Sequence, residues 1–346
     1  MTLSKTPRIL ITRLSAIGDC VLTLPMACAI KDQYPLSTIT WVVERGAAAL
    51  LRGHSCIDHL IELPKGWWKS PAKVWRLRRE LRARPYDVAL DPQSLSKSAA
   101  IAWMSGAPRR IGLAKPHGRE LSLWLNNVQF QPTTEHVVDR QLEMLSTIGV
   151  KWPETRFGLQ VPEASVARVD EWASDSRLSN GYVVMNPGAT WDSRLWPTER
   201  YGAVARQLGE RFGLTSLVSW CGERERGWAQ EIVQNSDGHA LIAPPSSLTE
   251  LAELLRRAQL YIGSDTGPMH IAVAMGTRCV AMFGTTRPEA SGPYGAGHFA
   301  LQSYYQTGTS RQRRRANNDA MRAITTDMVT QACQQALSAS STRNVA

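Results

Sequence analysis

Five short stretches place chargeable or hydroxyl-bearing residues just beyond an apolar run. The first is RLSAIGDCVLTLP at 13–25, which follows PRILIT. A glycine before an acid permits a tight bend, and Ser15 and Asp19 are residue types favoured at a helix start. Gly18 thereby presents Asp19 either as plain strand–turn–helix wiring or as a carboxylate at the mouth of a cleft. The second is YIGSDTGPMHIAVAMG, an apolar strand followed by Asp265, Thr266, Gly267 and a helix carrying Pro268 near its start. Proline suits a first helical turn, where its missing N–H costs nothing. The free N–H groups around 266–269 then lie at the positive end of a helix dipole, a ready site for phosphate oxygens within reach of His270. The bland alternative is that Asp265 or Thr266 caps the helix and His270 packs on the sheet.

The third stretch, NPGATWDSRLWPTERY (186–201), ends a strand and offers the Thr190 hydroxyl and the Arg194 cation. A permanent charge there suits a diphosphate leaving group, although a single arginine is more often simply a surface residue. In SWCGERERG, Glu223 or Glu225 is placed to accept hydrogen bonds from ribose hydroxyls, or to serve a helix N-terminus. In DPQSLSKSA (91–99), Asp91 and Gln93 are candidates for a cleft and Lys97 for an anionic group; a capped helix with a solvated lysine is the alternative.

These stretches need elements to hold them at strand ends. RILIT, TITWVVE, IDHLIELP and YDVALDP read as strands, and DCVLTLPMACAIKDQYP as a helix ended by Pro35. In PAKVWRLRRELRARP, Val74, Leu77 and Leu81 fall on one helical face. A second series, GYVVMNPGA, TSLVSWCGE, LYIGSDTG and CVAMFGTT, is separated by the helical stretches RYGAVARQLGERF, GWAQEIVQN, SLTELAELLRRAQ and MHIAVAMG. Alternation of this kind implies two parallel, doubly wound α/β sheets. The domains expected are 1–165, 175–315, and a C-terminal helix and tail at 316–346, with the polar stretch near 160–180 as the boundary. Ligands then belong at the carboxyl ends of the strands, in the crevice between the halves.

At 346 residues, 43% apolar and 20% charged, the chain is long enough for two domains with real cores. No apolar stretch reaches the roughly 18–20 residues a spanning helix requires, and MTLSKTPRILIT shows no long apolar region or small-residue cleavage site, so export is not expected. The six cysteines are scattered without a CxxC pair, which reads as buried thiols in a reducing cytoplasm and gives no zinc-ligand spacing. The net charge of +10 favours an anionic partner. Eight Lys/Arg residues, Lys69 and Arg76 among them, stand between 65 and 84 with Trp67, Trp68 and Trp75 interleaved. That mixture suits an anionic, partly apolar surface such as a membrane interface or a phosphorylated lipid; a solvated helix face is the alternative. No recognition-helix or RNP-type motif points to nucleic acid. RQRRR at 311–315 reads as a basic loop. No Walker loop, GxSxG elbow or GxGxxG after the first strand is present, which argues against a standard NAD-binding domain.

Taken in order, RLSAIGDCVLTLP, DPQSLSKSA, NPGATWDSRLWP, SDTGPMH and FGTTRPEASGPYG resemble the heptosyltransferases of glycosyltransferase family 9, nearest the heptosyltransferase I branch. The resemblance implies a GT-B fold, two Rossmann-like domains facing across a cleft. It also implies an ADP-heptose donor, inversion at the anomeric carbon and no required metal. The acceptor implied is a phosphorylated lipid-linked glycan of the Kdo-lipid A type, with the enzyme cytoplasmic and peripheral to the inner membrane. By this resemblance Asp19 is the general base, and Ser15, Gly18, Lys69, Arg76, Gln93 and Lys97 lie on the acceptor side. The donor falls to Thr190, Arg194, Asp265, Thr266, Gly267 and His270, with Glu223 favoured over Glu225 at the ribose. Family members often carry lysine where Arg194 stands; the charge is kept and the fork geometry differs. Two rival readings are a related transferase using another nucleotide sugar or glycan acceptor, and a basic, non-enzymatic protein that binds membrane or nucleic acid.

Overall fold

The computed structural model describes residues 3–151 and 153–341. It divides into two compact units, 1–160 and 161–346. The first holds β1 (Arg8–Thr12), β2 (Thr38–Glu44), β3 (His59–Leu63), β4 (Val88–Asp91), β5 (Arg109–Leu113) and β6 (Val128–Phe130). All pair in parallel, in the order β3-β2-β1-β4-β5-β6. The second holds β7 (Tyr182–Asn186), β8 (Thr215–Val218), β9 (Ala240–Ile242), β10 (Leu260–Ser264), β11 (Cys279–Met282) and β12 (Phe299–Leu301). Read from its far edge the order is β9-β8-β7-β10-β11-β12, the same winding, again fully parallel. This is the doubly wound Rossmann order, in which the chain reverses direction between the first and fourth strands of each sheet. The two switch points therefore lie between β1 and β4, and between β7 and β10.

Central strands are buried on both faces, as crossover helices require. β4, β7 and β10 are buried at every residue, and β1 at all but Arg8. The short strands β5, β6, β9 and β12 escape a reading by pattern because three to five residues show no usable period.

The expected single helix after β1 is two, Ile17–Val21 and Leu24–Gln33, broken at Leu22–Thr23 before Pro25. RQRRR is not a loop: Ser310–Arg315 is a helix, closed at its start by a reciprocal Thr309–Gln312 capping box. The polar boundary stretch holds the helix Glu163–Ala173. The expected terminal helix is Thr326–Ser341, and the tail expected after it lies, at 342–346, outside the described residues. That helix contributes Val329, Ala332, Cys333, Ala336 and Leu337 to the same core as β7, β10 and β11, so it belongs to the second unit.

In the first unit the helix Pro71–Arg82 begins at Ser70, whose hydroxyl accepts from the Lys73 N–H, with proline in the first turn. It buries Leu77 and Leu81, each worth about 2 kcal/mol of apolar transfer. Its other faces carry the arginines and Trp75 outward.

Candidate active site

Each sheet carries its chemistry on the loops that follow the two strands at its switch point. In the first unit these are the loops after β1 and β4, and they are tied together. Gln93 Oε1 accepts the Leu14 N–H at 2.8 Å, and Arg13 Nη1 donates to the Pro92 carbonyl at 3.3 Å. Asp19 is the third residue of the helix Ile17–Val21. Its Oδ2 accepts the Ala16 N–H at 3.1 Å, and its Oδ1 lies 2.5 Å from Arg13 Nη2. The arginine is nearly buried, while the carboxylate keeps 43% of its surface open. The acid is thus held from behind and presented forward.

Asp19 borders a cavity of about 220 Å³, lined also by Arg13, Gln93, His117, Arg119 and Arg140. Arg140 Nη1 donates to His117 Nδ1 at 2.6 Å. Burial first, and then the charges of Arg140 and Arg119, hold the His117 ring below its ordinary pKa. A neutral histidine and three guanidiniums around one carboxylate make this a place for an anionic sugar or phosphate with a hydroxyl near Asp19.

The sequence reading reached Asp19 and Gln93 here and missed Arg13, His117, Arg119 and Arg140. The last three come from segments without a motif, and the fold alone gathers them. Ser15 and Gly18 flank the bend. The cap position falls to Ala16, not to Ser15. Asp91 is fully buried and does not face a cleft. It accepts from the Ser94 N–H at 2.8 Å and from Asn126 Nδ2 at 2.9 Å, and burial pushes its carboxyl up to about 6 despite them. Lys97 sits over the Trp68 ring, 3.1 Å from its centroid. Lys69 and Arg76 are exposed on the basic segment and do not line the Asp19 cavity.

The second unit builds its site from the loops after β7 and β10. Asp265 ends β10's loop turn and is buried, and the helix Gly267–Ala274 follows with Thr266 at its cap and Pro268 in its first turn. No side chain caps that helix, so its leading N–H groups point outward unclaimed by Thr266. Instead Thr266 Oγ1 turns back to the Ser264 carbonyl at 3.3 Å. Arg194 closes a single helical turn, Asp192–Arg194, and donates from Nη1 to the Asp265 carbonyl at 2.9 Å. The same nitrogen is 3.4 Å from Asp265 Oδ2, and Ser264 Oγ donates to the Arg194 carbonyl at 2.7 Å. His270 Nε2 is 3.6 Å from Asp265 Oδ1, while its Nδ1 is buried without a hydrogen-bond partner. Burial raises the Asp265 carboxyl, but the His270 contact and the Arg194 charge outweigh it and leave the group below the ordinary carboxylate range. Arg194 and His270 meet around Asp265, next to Thr266 and Gly267, and the N-terminal amides with Arg194 are groups able to donate to phosphate oxygens.

Trp191 is flanked by two cations, Arg194 at 3.9 Å and Arg314 at 4.9 Å from its ring. Arg314 lies on the helix read from sequence as a loop. Thr190 is exposed beside this group. Of the two glutamates, Glu223 points outward, 85% exposed and 3.6 Å from Arg226. Glu225 accepts the Cys221 N–H at 2.8 Å and packs on Gly188, where an added Cβ would come within 2.4 Å of its carboxylate. Glycine at 188 lets that acid reach the loop after β7.

The profile of glycosyltransferase family 9 (heptosyltransferase) matches residues 74–320. The chain belongs to glycosyltransferase family 9. It is a glycosyltransferase, and its relatives support that membership along most of its length. Lipopolysaccharide heptosyltransferase 1 of Salmonella typhimurium is 27% identical over 306 residues, covering 86% of this chain and 94% of that one. The Escherichia coli K12 protein of the same name is 26% identical over 298 residues, with 83% and 91% covered. Among solved structures, the family 9 glycosyltransferase of Veillonella parvula superposes with a TM-score of 0.85 at 24% identity, covering 97% of this chain and 98% of that one. The E. coli heptosyltransferase WaaC with ADP gives 0.77 at 22%, covering 95% and 99%. The family 9 chain therefore has the GT-B class of fold, two Rossmann-like units, as these structures do.

Proposed function

We propose that this family 9 enzyme transfers heptose, with inversion, from ADP-heptose to the inner core of lipopolysaccharide, taking a Kdo-lipid A type acceptor. The observation that carries the reading is that each unit holds a site of different chemistry at its own equivalent switch point. One offers a presented carboxylate among arginines; the other offers helix amides, a half-buried arginine and a buried histidine.

In the proposed step an acceptor hydroxyl, oriented beside Asp19, attacks the anomeric carbon. Its proton passes to Asp19 Oδ, the bond from that carbon to the diphosphate oxygen breaks, and ADP leaves with the electron pair. Proton removal by a positioned carboxylate contributes 10²–10⁴-fold. Charge growing on the leaving diphosphate is met by Arg194, by the N–H groups at Gly267 and beyond, and by His270. Asp265 holds Arg194 and His270 in place, and its contact to the heptose hydroxyls rests on the family resemblance. For the ribose, the packing of Glu225 on Gly188 makes it the better candidate than Glu223. Arg13, Arg119 and Arg140 suit the negative groups of the acceptor.

No helix among the described residues is long and apolar enough to cross a membrane. The outward Trp75, Trp103 and Trp124 and the lysines and arginines of the 65–84 segment support peripheral binding to an anionic lipid surface on the cytoplasmic side. Incubating the protein with ADP-heptose and Kdo-lipid A should release ADP and lengthen the acceptor by one heptose. Failure with every heptose donor would remove the reading. Thermal shifts with ADP-, UDP- and GDP-sugars would then point to the related transferase that remains, since a ligand bound only by the folded state raises Tm.

A further inference from the structure

Three side chains that no part of the transfer chemistry uses meet inside the first unit. Cys28 comes from the helix Leu24–Gln33, and His54 and Cys56 from the turn after the helix Arg45–Leu51. All three are buried, and their ligand atoms lie within 4.8 Å of one another. The sequence hides the cluster because its members come from separate segments and no CxxC marks it. None of them lines the Asp19 cavity.

We propose that Cys28, His54 and Cys56 bind one thiophilic d¹⁰ cation, zinc(II) by their donor set, as a structural clip. Two sulfurs and an imidazole nitrogen are the ligands that select zinc over magnesium or calcium. The spacing distinguishes this from a disulfide. Cys28 Sγ and Cys56 Sγ are 3.5 Å apart. Two thiolates at ~2.3 Å from a tetrahedral zinc stand roughly 3.8 Å apart, so the pair must open by a few tenths of an ångström. A disulfide at ~2.05 Å would require two buried side chains to close by about 1.5 Å.

The histidine is arranged as a ligand's second nitrogen requires. His54 Nε2 lies 2.9 Å from the Phe157 carbonyl, a contact that fixes the proton on Nε2 and leaves the Nδ1 lone pair for other use. That lone pair now accepts the Cys56 N–H at 3.1 Å, and this is the bond a metal ion replaces. The charge is also prepared. Arg156 Nη2 is 3.7 Å from Cys56 Sγ and is itself paired with Asp32 at 2.5 Å. Binding displaces the protons of both thiols to solvent, and the two thiolates balance the divalent charge. Residues 156–158 lie over the cluster: a Cβ at Gly158 would sit 3.1 Å from His54 Nε2 and 3.4 Å from Cys28 Sγ. The clip joins the helix Leu24–Gln33 to the turn after the helix Arg45–Leu51.

The test uses the full chain carrying Cys221→Ser, which removes the cysteine that is exposed. Reduced, metal-free protein is titrated with Co²⁺ and followed by absorption. The expected result is one equivalent bound, with tetrahedral d–d bands and a thiolate-to-metal charge-transfer band, both bleached by Zn²⁺. Zn²⁺ should also raise Tm by several degrees, reversed by a chelator. Cys56→Ser and Cys28→Ser should each lose the charge-transfer band or weaken it with at least a hundredfold loss of affinity. If those variants do not fold, His54→Gln reports instead, by a shifted d–d spectrum. Absence of a charge-transfer band in the parent chain overturns the proposal, as does a band unchanged in Cys56→Ser, or isolation of a Cys28–Cys56 disulfide.

Discussion

Arg194 meets Asp265 twice, donating to its backbone carbonyl at 2.9 Å and lying 3.4 Å from its carboxylate. The two residues are 71 apart in sequence and come from the loops after neighbouring strands β7 and β10. The contact fixes the direction of a half-buried guanidinium beside the amides that open the helix Gly267–Ala274. An arginine so held needs little further ordering when a diphosphate arrives, which is how a preorganised site lowers the cost of binding charge.

Replacing that guanidinium separates charge from geometry. Arg194→Lys keeps the charge and loses the fork, so ADP-heptose affinity should fall about tenfold; Arg194→Ala should cost on the order of a hundredfold. Isothermal titration with ADP-heptose measures both. Equal affinity in the alanine variant would place the diphosphate elsewhere.

Glu225→Gln should weaken ADP binding about tenfold, whereas Glu223→Gln should change it by less than twofold. Glu225 is ordered by the Cys221 N–H and lies on Gly188, and Glu223 is solvated. The reverse ranking in a titration with ADP would restore Glu223 to the ribose.

The fold was readable from alternating apolar runs, and the site from the residue types that ended them. β1, β2, β4, β7, β8, β10 and β11 carry enough consecutive β-branched or apolar residues to show. β6, β9 and β12, with three residues each, do not. Asp19, Arg194 and Asp265–His270 are local to strand ends and could be seen in one dimension. Arg140 and His117 stand beside Asp19 only because the helix Val137–Met144 and the loop after β5 converge on one sheet edge, and spacing along the chain carries no trace of that. Glu225 was legible as a candidate; what favours it is its packing on Gly188, a three-dimensional fact. Cys221 is exposed where the composition suggested buried thiols throughout.

Membrane binding is tested by the basic tryptophan segment. Trp75→Ser with Arg76→Glu should reduce co-sedimentation with anionic phospholipid vesicles about tenfold or more, and salt should weaken the parent protein in the same direction. Binding of the double variant at parental strength would assign that segment to solvent.

Asp91 gives a pH signature. Its carboxyl is raised to about 6 by burial, so the folded state holds the proton more tightly than the unfolded chain. The stabilisation this group gives is complete below roughly pH 4 and is lost as pH rises to 6, on the order of 3 kcal/mol across about two units. The unfolding free energy of the parent, compared with Asp91→Asn, should therefore decline by that order between pH 4 and 7. A carboxyl carbon-13 titration with its midpoint near 4 would contradict it.

The central claim is that Asp19, anchored by Arg13 and Ala16, takes the acceptor proton. Steady-state transfer from ADP-heptose to Kdo-lipid A by Asp19→Asn, with donor affinity measured in parallel, tests it most directly. The account predicts that kcat falls by about 10²–10⁴ while the Kd for ADP-heptose stays within a few-fold. Near-parental turnover in that variant, or loss of activity explained wholly by lost donor binding, would contradict it.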